Sequence, residues 1–489
     1  MTTSTPASNT NGGMLLWFRR DLRLGDHPAL QAALATGQPV FPVYILDDET
    51  PGPWRAGGAS RWWLAQSLRS LDADLRKMGA RLILRRGTAD DVLMSLLAET
   101  GARGVCFTRG YEPFQRTLED RLKSRLAAAG AECRRFSGHL LFEPEQVATK
   151  SGEPFRVYTP FFRAISSREF SRAPLAAPKG WPAPDTWPAS DRLEDWHLKP
   201  TKPDWAGGLR ETWTCGEAAA QQRLSAFLAG MLCGYADNRN TPGMEGTSRL
   251  SPHLAFGEIS PHQVWHAVLS AAERAGKPNL GETYLKEIVW REFSYHLLFH
   301  FPTLPEKPFK PEFARFPWAS DDAALKAWQR GRTGYPIVDA GMRQLWQTGW
   351  MHNRVRMITA SFLIKHLLIP WTEGEAWFWD TLVDADLASN SASWQWVAGS
   401  GADAAPYFRI FNPVLQGEKF DANGDYVRLF VPEIAALPDS LVHKPWEAPR
   451  ELLAKAGVDL GHTYPLPIVE HARGRQRALA AYEGMRQAG

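Results

Sequence analysis

The sequence predicts an α/β N-terminal domain of the doubly wound, Rossmann-like kind, followed by an all-α C-terminal domain. Two observations carry this. Short β-rich runs alternate with helical patterns over residues 13–140, and long amphipathic helical stretches with few strand signals fill residues 215–489. Between them, residues 141–214 are rich in Pro, Trp and Gly and read as an irregular interdomain linker. Length agrees, since 489 residues exceed what one ordinary core accommodates.

Taken in order, residues 1–12 are polar, uncharged and low in complexity, and are expected to form a disordered tail with no apolar leader segment. Strands are predicted at Met14–Phe18, Val40–Leu46, Arg81–Arg86 and Gly104–Thr108, with helices over Arg61–Met78 and Asp90–Glu99. Strict alternation implies crossover connections and therefore a mainly parallel sheet. The first strand runs into FRRDLRLGDH, which carries no G-x-G-x-x-G, so a dinucleotide is expected to bind elsewhere. In the linker, APLAAPKGWPAPDTWPASD is expected to drape over the surface. Helices follow at Gly216–Gly230, Pro261–Ala275, Glu282–Leu298 and Ala340–Leu368.

Composition narrows the function classes. The four cysteines, Cys106, Cys133, Cys215 and Cys233, form no CxxC pair, which argues for a reducing, cytoplasmic setting and against a metal centre. No apolar run reaches the ~18 residues of a membrane span. A net charge of +3 is compatible with a polyanionic partner but falls short of a dedicated DNA-binding domain. The 21 tryptophans stand out, and many lie between Trp290 and Trp396. Large aromatics ordinarily fill cores, so position rather than number must give them a role.

Four segments carry candidate chemistry. In EGTSRLSPHLAFGEISP, Thr247, Ser248 and Ser251 cluster before a helix start, with Ser251 as N-cap and Arg249 alongside. This suits a pyrophosphate, and an ordinary capped helix is the competing reading. In LKEIVWREFSYHL, Glu287, Trp290, Arg291 and Ser294 fall at i, i+3, i+4 and i+7, on one helical face. A stripe of carboxylate, indole and guanidinium reads as the wall of a polar cavity, or else as a solvated ion-pair face. In GWMHNRVRMITASF, Asn353, Arg356 and Met357 share a face while Arg354 points elsewhere. In DTLVDADLASNSASWQW, Asp384, Asp386 and Asn390 precede Trp394 and Trp396; paired carboxylates of this kind more often serve glycoside hydrolysis or metal binding.

These segments, together with WFRRDLRLGDHPAL, GRTGYPIVDAGMRQL and GADAAPYFRIFNPVLQGEKF, resemble the photolyase/cryptochrome family over nearly the whole chain, and within it the bacterial cyclobutane-dimer photolyases. The resemblance implies FAD in the helical domain, active as the reduced FADH−, with Tyr235, Thr247, Ser248, Arg249, Leu250 and Ser251 around its phosphates. Arg356 and Asp384 match the ion pair beside the flavin, Asp386 a flavin or ribityl contact, and Asn390 the amide facing flavin N5. It implies UV-damaged DNA as partner, a monomeric enzyme and light-driven splitting of the dimer. Glu287 and Asn353 would hydrogen-bond the flipped bases, Trp290 and Trp396 would stack on them, and Met357 would fill the apolar gap. Arg291, Arg354, Arg409 and Gln416 would contact DNA at the cavity rim. Trp394, Trp371 and Trp318 match the family's electron-transfer chain. Met351-His352-Asn353, in place of the His-His pair of (6-4) enzymes, implies the cyclobutane lesion. In the antenna region Phe114-Gln115 replaces the Asn-Glu pair of the best-known folate-binding branch, which leaves open a differently placed methenyltetrahydrofolate, a deazaflavin or no second chromophore, with methenyltetrahydrofolate preferred. A cryptochrome photoreceptor is the alternative on this fold, whereas a dehydrogenase would require the missing glycine loop.

Overall fold

The computed structural model describes residues 12–168, 172–404 and 408–487, so the predicted tail lies almost wholly outside the described residues. Five parallel strands, β1 (Met14–Phe18), β2 (Val40–Leu46), β3 (Ile83–Arg86), β4 (Gly104–Thr108) and β5 (Glu132–Phe136), form one sheet in the order β3-β2-β1-β4-β5. Strand β1 shows why the sheet is covered on both sides. Its Met14, Leu16 and Phe18 pack with Leu64, Leu68 and Leu71 of helix Gly58–Lys77, while Leu15 and Trp17 pack with Leu93, Leu97, Leu118 and Leu122 of helices Ala89–Thr100 and Pro113–Ala128. Period-2 alternation thus buries both faces, and the strand reads as an unbroken apolar run.

Three strands fall where the sequence placed them, and the third begins at Ile83 instead of Arg81. Strand β5, ECRRF, was not anticipated. It is a sheet edge whose residues are only half-buried or exposed, so its polar composition hides it from an apolar-run criterion.

The linker is more ordered than its composition implies. Tyr158–Ser166 forms a helix, with Tyr158, Phe161 and Ile165 buried at i, i+3 and i+7. Further along, Pro182 O accepts from Val40 N and Asp191 N donates to Leu84 O, while Trp196 and Leu198 are buried against the sheet domain. The Tyr158–Ser166 helix therefore packs into the core of the helical half, and the stretch from Trp181 to Leu198 closes the α/β core instead of lying loosely on its surface.

In the helical half, the stretch expected as one helix over Ala340–Leu368 is broken into Pro336–Thr348 and Asn353–Ser361, which runs on into a wide turn at Phe362–His366. Gly349 adopts the left-handed conformation (φ 66°) that ends the first helix, and the His352 ring accepts from Arg354 N to start the second. The other long helices match within two residues.

The loop after β1 clasps the two halves together. The Arg23 guanidinium, 1 % exposed, donates to the carbonyls of Asp26, Gly138 and Gly257. Glu217 accepts from Leu24 N and Gly25 N, and Ser260 Oγ donates to the Asp26 carboxylate. FRRDLRLGDH thus performs a joining role where a dinucleotide fold would carry its phosphate loop. The strand order reverses between β1 and β4, the place where such sheets bind ligands. Here Arg19 pairs with Gln115 (2.7 Å) and Glu119, and only about 20 Å³ remains open.

Candidate functional site

A cavity of about 550 Å³ lies in the helical half. Helix Glu282–His300 supplies one wall, and all four residues of its predicted stripe, Glu287, Trp290, Arg291 and Ser294, line it. Helix Asn353–Ser361 supplies Asn353, Arg354, Arg356 and Met357. The loop Asp384–Asp386 and helix Leu387–Ala398 add Asp384, Asp386, Asn390, Trp394 and Trp396, and Ser251 enters from a five-residue helix.

The polar groups are locked by one another. Arg356 Nη2 donates to Asp384 Oδ2 at 2.7 Å and Arg356 Nε to Met351 O, leaving Asp384 Oδ1 buried with no hydrogen-bond partner among the described residues. Asp386 caps its helix by accepting from Ser389 N at 2.8 Å, and it also accepts from the buried Tyr295 hydroxyl. Tyr295 in turn meets His139, whose Nε2 lies 2.7 Å from Arg291 Nη2. Asn390 donates its NH₂ to Glu375 O, which orients the amide. Burial pushes the Glu375 carboxyl up to about 8, so it is neutral near pH 7, and its Oε1 accepts from Ser391 Oγ. Glu287 is raised by burial but opposed by Arg239, whose guanidinium donates to it at 2.6 Å. His352 is held down at about 4 by burial and by Arg356, Arg354 and two further arginines.

Among the residues predicted around phosphates, Ser251 lines the cavity, but as the first residue of its helix and not as N-cap. Its hydroxyl accepts from Trp350 Nε1 at 3.2 Å instead. Arg249 sits at φ 50° with its guanidinium 5.1 Å from the Trp350 ring centroid. Ser248 accepts from Tyr284 OH, and Tyr235 packs edge-on against Tyr284. Leu250 is buried and Thr247 half-buried beside them.

The tryptophans are graded in burial: Trp394 2 % and Trp371 4 % exposed, Trp318 only half-buried. A Cβ on Gly374 would stand 2.1 Å from the Trp394 ring, so this glycine lets helix Trp371–Thr381 cross directly over it. Ala319 N donates to Leu368 O, which brings the Trp318 segment alongside the turn into Trp371.

The basic residues assigned to the rim divide. Arg291 is 11 % exposed and bound to His139, inside the wall. Arg354, which helical spacing turns away from the Asn353/Arg356/Met357 face, reaches the cavity nonetheless: Nη2 donates to Asn240 and the guanidinium stacks 4.3 Å over Phe420. Spacing sets where Cβ points, whereas a long side chain sets its own tip. Gln416 lies one turn before Phe420 on helix Pro413–Phe420, and Arg409 borders a small recess beside Trp396.

Sequence reasoning missed Arg239, Tyr295 and Glu375, as well as Tyr158, whose ring stacks on that of Trp290 with centroids 3.6 Å apart. Tyr158 had a signal, the helical spacing of Tyr158, Phe161 and Ile165; the others act across elements and leave none.

The fold and site together define a two-domain protein whose helical half encloses a cavity of aromatic and charged side chains suited to a large, polar aromatic ligand. Family models agree: residues 14–180 match DNA photolyase, and residues 284–484 match the FAD binding domain of DNA photolyase. The chain is 56% identical to the deoxyribodipyrimidine photo-lyase of Agrobacterium fabrum over 97% of its own length and 98% of that protein's. It is 39% identical to cryptochrome-1 of Arabidopsis thaliana, covering all of this chain and 72% of that one. A crystal structure of a bacterial class III photolyase from Agrobacterium tumefaciens superposes with a TM-score of 0.95 at 55% identity, covering 99% of this chain and 100% of that one. The chain belongs to the photolyase/cryptochrome family.

Proposed function

We infer that this chain is a deoxyribodipyrimidine photolyase that splits cyclobutane pyrimidine dimers in UV-damaged DNA under light. One observation carries the reading: a single cavity joins the half-buried Arg356–Asp384 pair and the Asn390 amide to the wall of Glu287, Trp290, Asn353, Met357 and Trp396.

The residues fit FAD. Asp384 Oδ1 is a buried acceptor lacking a partner, and Arg356, Asp386 and Asn390 surround it in a cavity large enough for a ring system. Arg356, Asp384, Asp386 and Asn390 would hold the flavin end, with Tyr235 and the run Thr247, Ser248, Arg249, Leu250, Ser251 toward the phosphates. Reduced FAD, when bound and illuminated, supplies the electron that opens the cyclobutane ring and takes it back afterwards. The chain's own residues bind and orient. The Arg239 guanidinium fixes the Glu287 carboxylate, leaving its second oxygen to accept a base N–H. The Asn353 amide offers donor and acceptor to the partner base. Trp290 and Trp396 provide flat apolar faces for unstacked bases, and Met357 fills the gap between them. Arg354, with Arg409 and Gln416, would meet flanking phosphates, while Arg291 keeps the wall rigid through His139. Trp394, Trp371 and Trp318 would relay, under light, an electron from an external reductant at the surface inward to oxidised flavin.

The same reading makes the protein a cytoplasmic monomer; no described helix is long and apolar enough to cross a membrane. A second pigment, if the chain carries one, would be methenyltetrahydrofolate in preference to a deazaflavin, bound away from the sheet's switch point, where Arg19 and Gln115 fill the space. The deciding experiment illuminates the reduced flavoprotein with a thymine-dimer oligonucleotide and follows the return of monomer-thymine absorbance against a dark control. No thymine recovery from fully flavin-loaded, reduced protein would instead make the chain a cryptochrome.

A further inference from the structure

We propose that Tyr158 is a positioning residue for Trp290: stacked face to face on the indole, it fixes the plane against which a flipped base stacks. The inference rests on the lesion-cavity reading above. The ring centroids of Tyr158 and Trp290 are 3.6 Å apart and their planes 3° from parallel. Aromatic pairs usually prefer offset or edge-on arrangements with centroids roughly 4.5–7 Å apart. This closer, fully overlapped pair is imposed by what surrounds it. The Tyr158 hydroxyl donates to Lys286 O at 2.8 Å, one helical turn before Trp290. Its backbone N–H donates to the Asp403 carboxylate at 3.3 Å, next to the cavity-lining Ala402. Phe293 meets the Tyr158 ring nearly edge-on, at 75° and 6.0 Å.

Tyr158 is 9 % exposed and opens its helix, so it has little freedom of its own. It therefore covers one face of Trp290, and the indole that lines the cavity presents only the other. An unsupported indole would have to give up rotamer freedom when a base stacked on it; here that freedom is lost before the base arrives. The segment between the two domains thereby sets affinity for the lesion without touching it.

The test uses the complete flavoprotein and four variants: Tyr158→Phe, Tyr158→Met, Trp290→Ala and the double Tyr158→Met/Trp290→Ala. Affinities for a short oligonucleotide with one thymine dimer, and for its undamaged twin, are measured at one salt concentration, along with flavin content. Phe keeps a flat ring on the indole but loses the hydroxyl bond to Lys286 O, so it should weaken dimer binding less than Met does. Met keeps buried volume without a flat face and should weaken dimer binding about fivefold or more, leaving undamaged-DNA affinity and flavin content unchanged. In the Trp290→Ala background the same change should add nothing, which a merely structural role would not produce. Unchanged dimer affinity in Tyr158→Met, a loss that persists without Trp290, an equal loss on undamaged DNA, or flavin-poor protein would each overturn the proposal. If Trp290→Ala itself fails to weaken dimer binding selectively, the lesion-cavity reading falls too; a selective loss there with none in Tyr158→Met refutes the positioning role alone.

Discussion

Removing either partner of the Arg356–Asp384 pair should release flavin, but the two deletions should differ in what they do to the apoprotein. Asp384 is almost wholly buried, its side chain 3 % exposed, and one of its oxygens already lacks a partner. Arg356→Ala therefore strands a buried carboxylate with neither oxygen satisfied by a side chain, a change that typically costs about 3–5 kcal/mol. Asp384→Ala leaves a guanidinium that is 24 % exposed and still bonded to Met351 O, so water replaces much of what is lost. Its cost should be nearer the about 1.5–3 kcal/mol of one hydrogen bond to a charged group. The assay is the denaturation midpoint of flavin-stripped protein by urea, beside the flavin-to-protein absorbance ratio of each variant as purified. Asp384→Ala proving the more destabilising, or full flavin occupancy in both, would refute the reasoning.

Further outcomes follow from the same geometry. Trp371→Phe or Trp318→Phe should slow photoreduction of oxidised flavin yet spare repair once the flavin is reduced chemically, because Phe keeps the packing and removes the oxidisable indole; photoreduction kinetics and repair yield are the measurements. Glu287→Ala and Trp290→Ala should weaken binding to dimer-containing DNA about tenfold while leaving undamaged duplex nearly unaffected, since stacking contributes ~1–3 kcal/mol per base and nonspecific affinity comes from phosphates; parallel titrations at fixed salt separate the two. Glu375, raised to about 8 by burial, is protonated when folded and ionised when unfolded between its ordinary value of 4.5 and 8. The folded state then binds the extra proton, so Glu375 lends stability that is full below about 4.5 and is lost as pH rises toward 8. Glu375→Gln should flatten that decline in a series of unfolding midpoints across pH, and an unchanged slope would remove Glu375 as its source.

Much of the fold and the site stripe was legible in the linear sequence because it is written in local periodicity. Strands β1, β2 and β4 are buried on both faces, so they read as continuous apolar runs with sharp ends. Glu287, Trp290, Arg291 and Ser294 declared a cavity wall because a polar and aromatic stripe at helical spacing is out of place on a core-facing helix. Expected roles for Trp394 and Asn390 came from family resemblance, since periodicity gives an indole or an amide no function, and for the phosphate run the resemblance chose between a pyrophosphate site and an ordinary capped helix. Where the signal was weak, the reading missed. The edge position of β5 permits polar residues, and Gly349 interrupts a pattern that otherwise continues as helix.

What only the tertiary structure decided is which groups meet. Arg239 and Glu287 stand 48 residues apart, Tyr158 and Trp290 farther still, and Tyr295 meets Asp386 across 91. The sequence by itself determines that each helix has a polar face, because a face follows from 3.6 residues per turn. Whether that face meets a guanidinium, a phenol or water depends on how helices pack and how loops close, and those are set by the summed burial of the whole core. Hence Arg354, turned aside by local geometry, still reaches the cavity, and a linker tyrosine lies flat on the indole of a helix it nowhere adjoins in sequence.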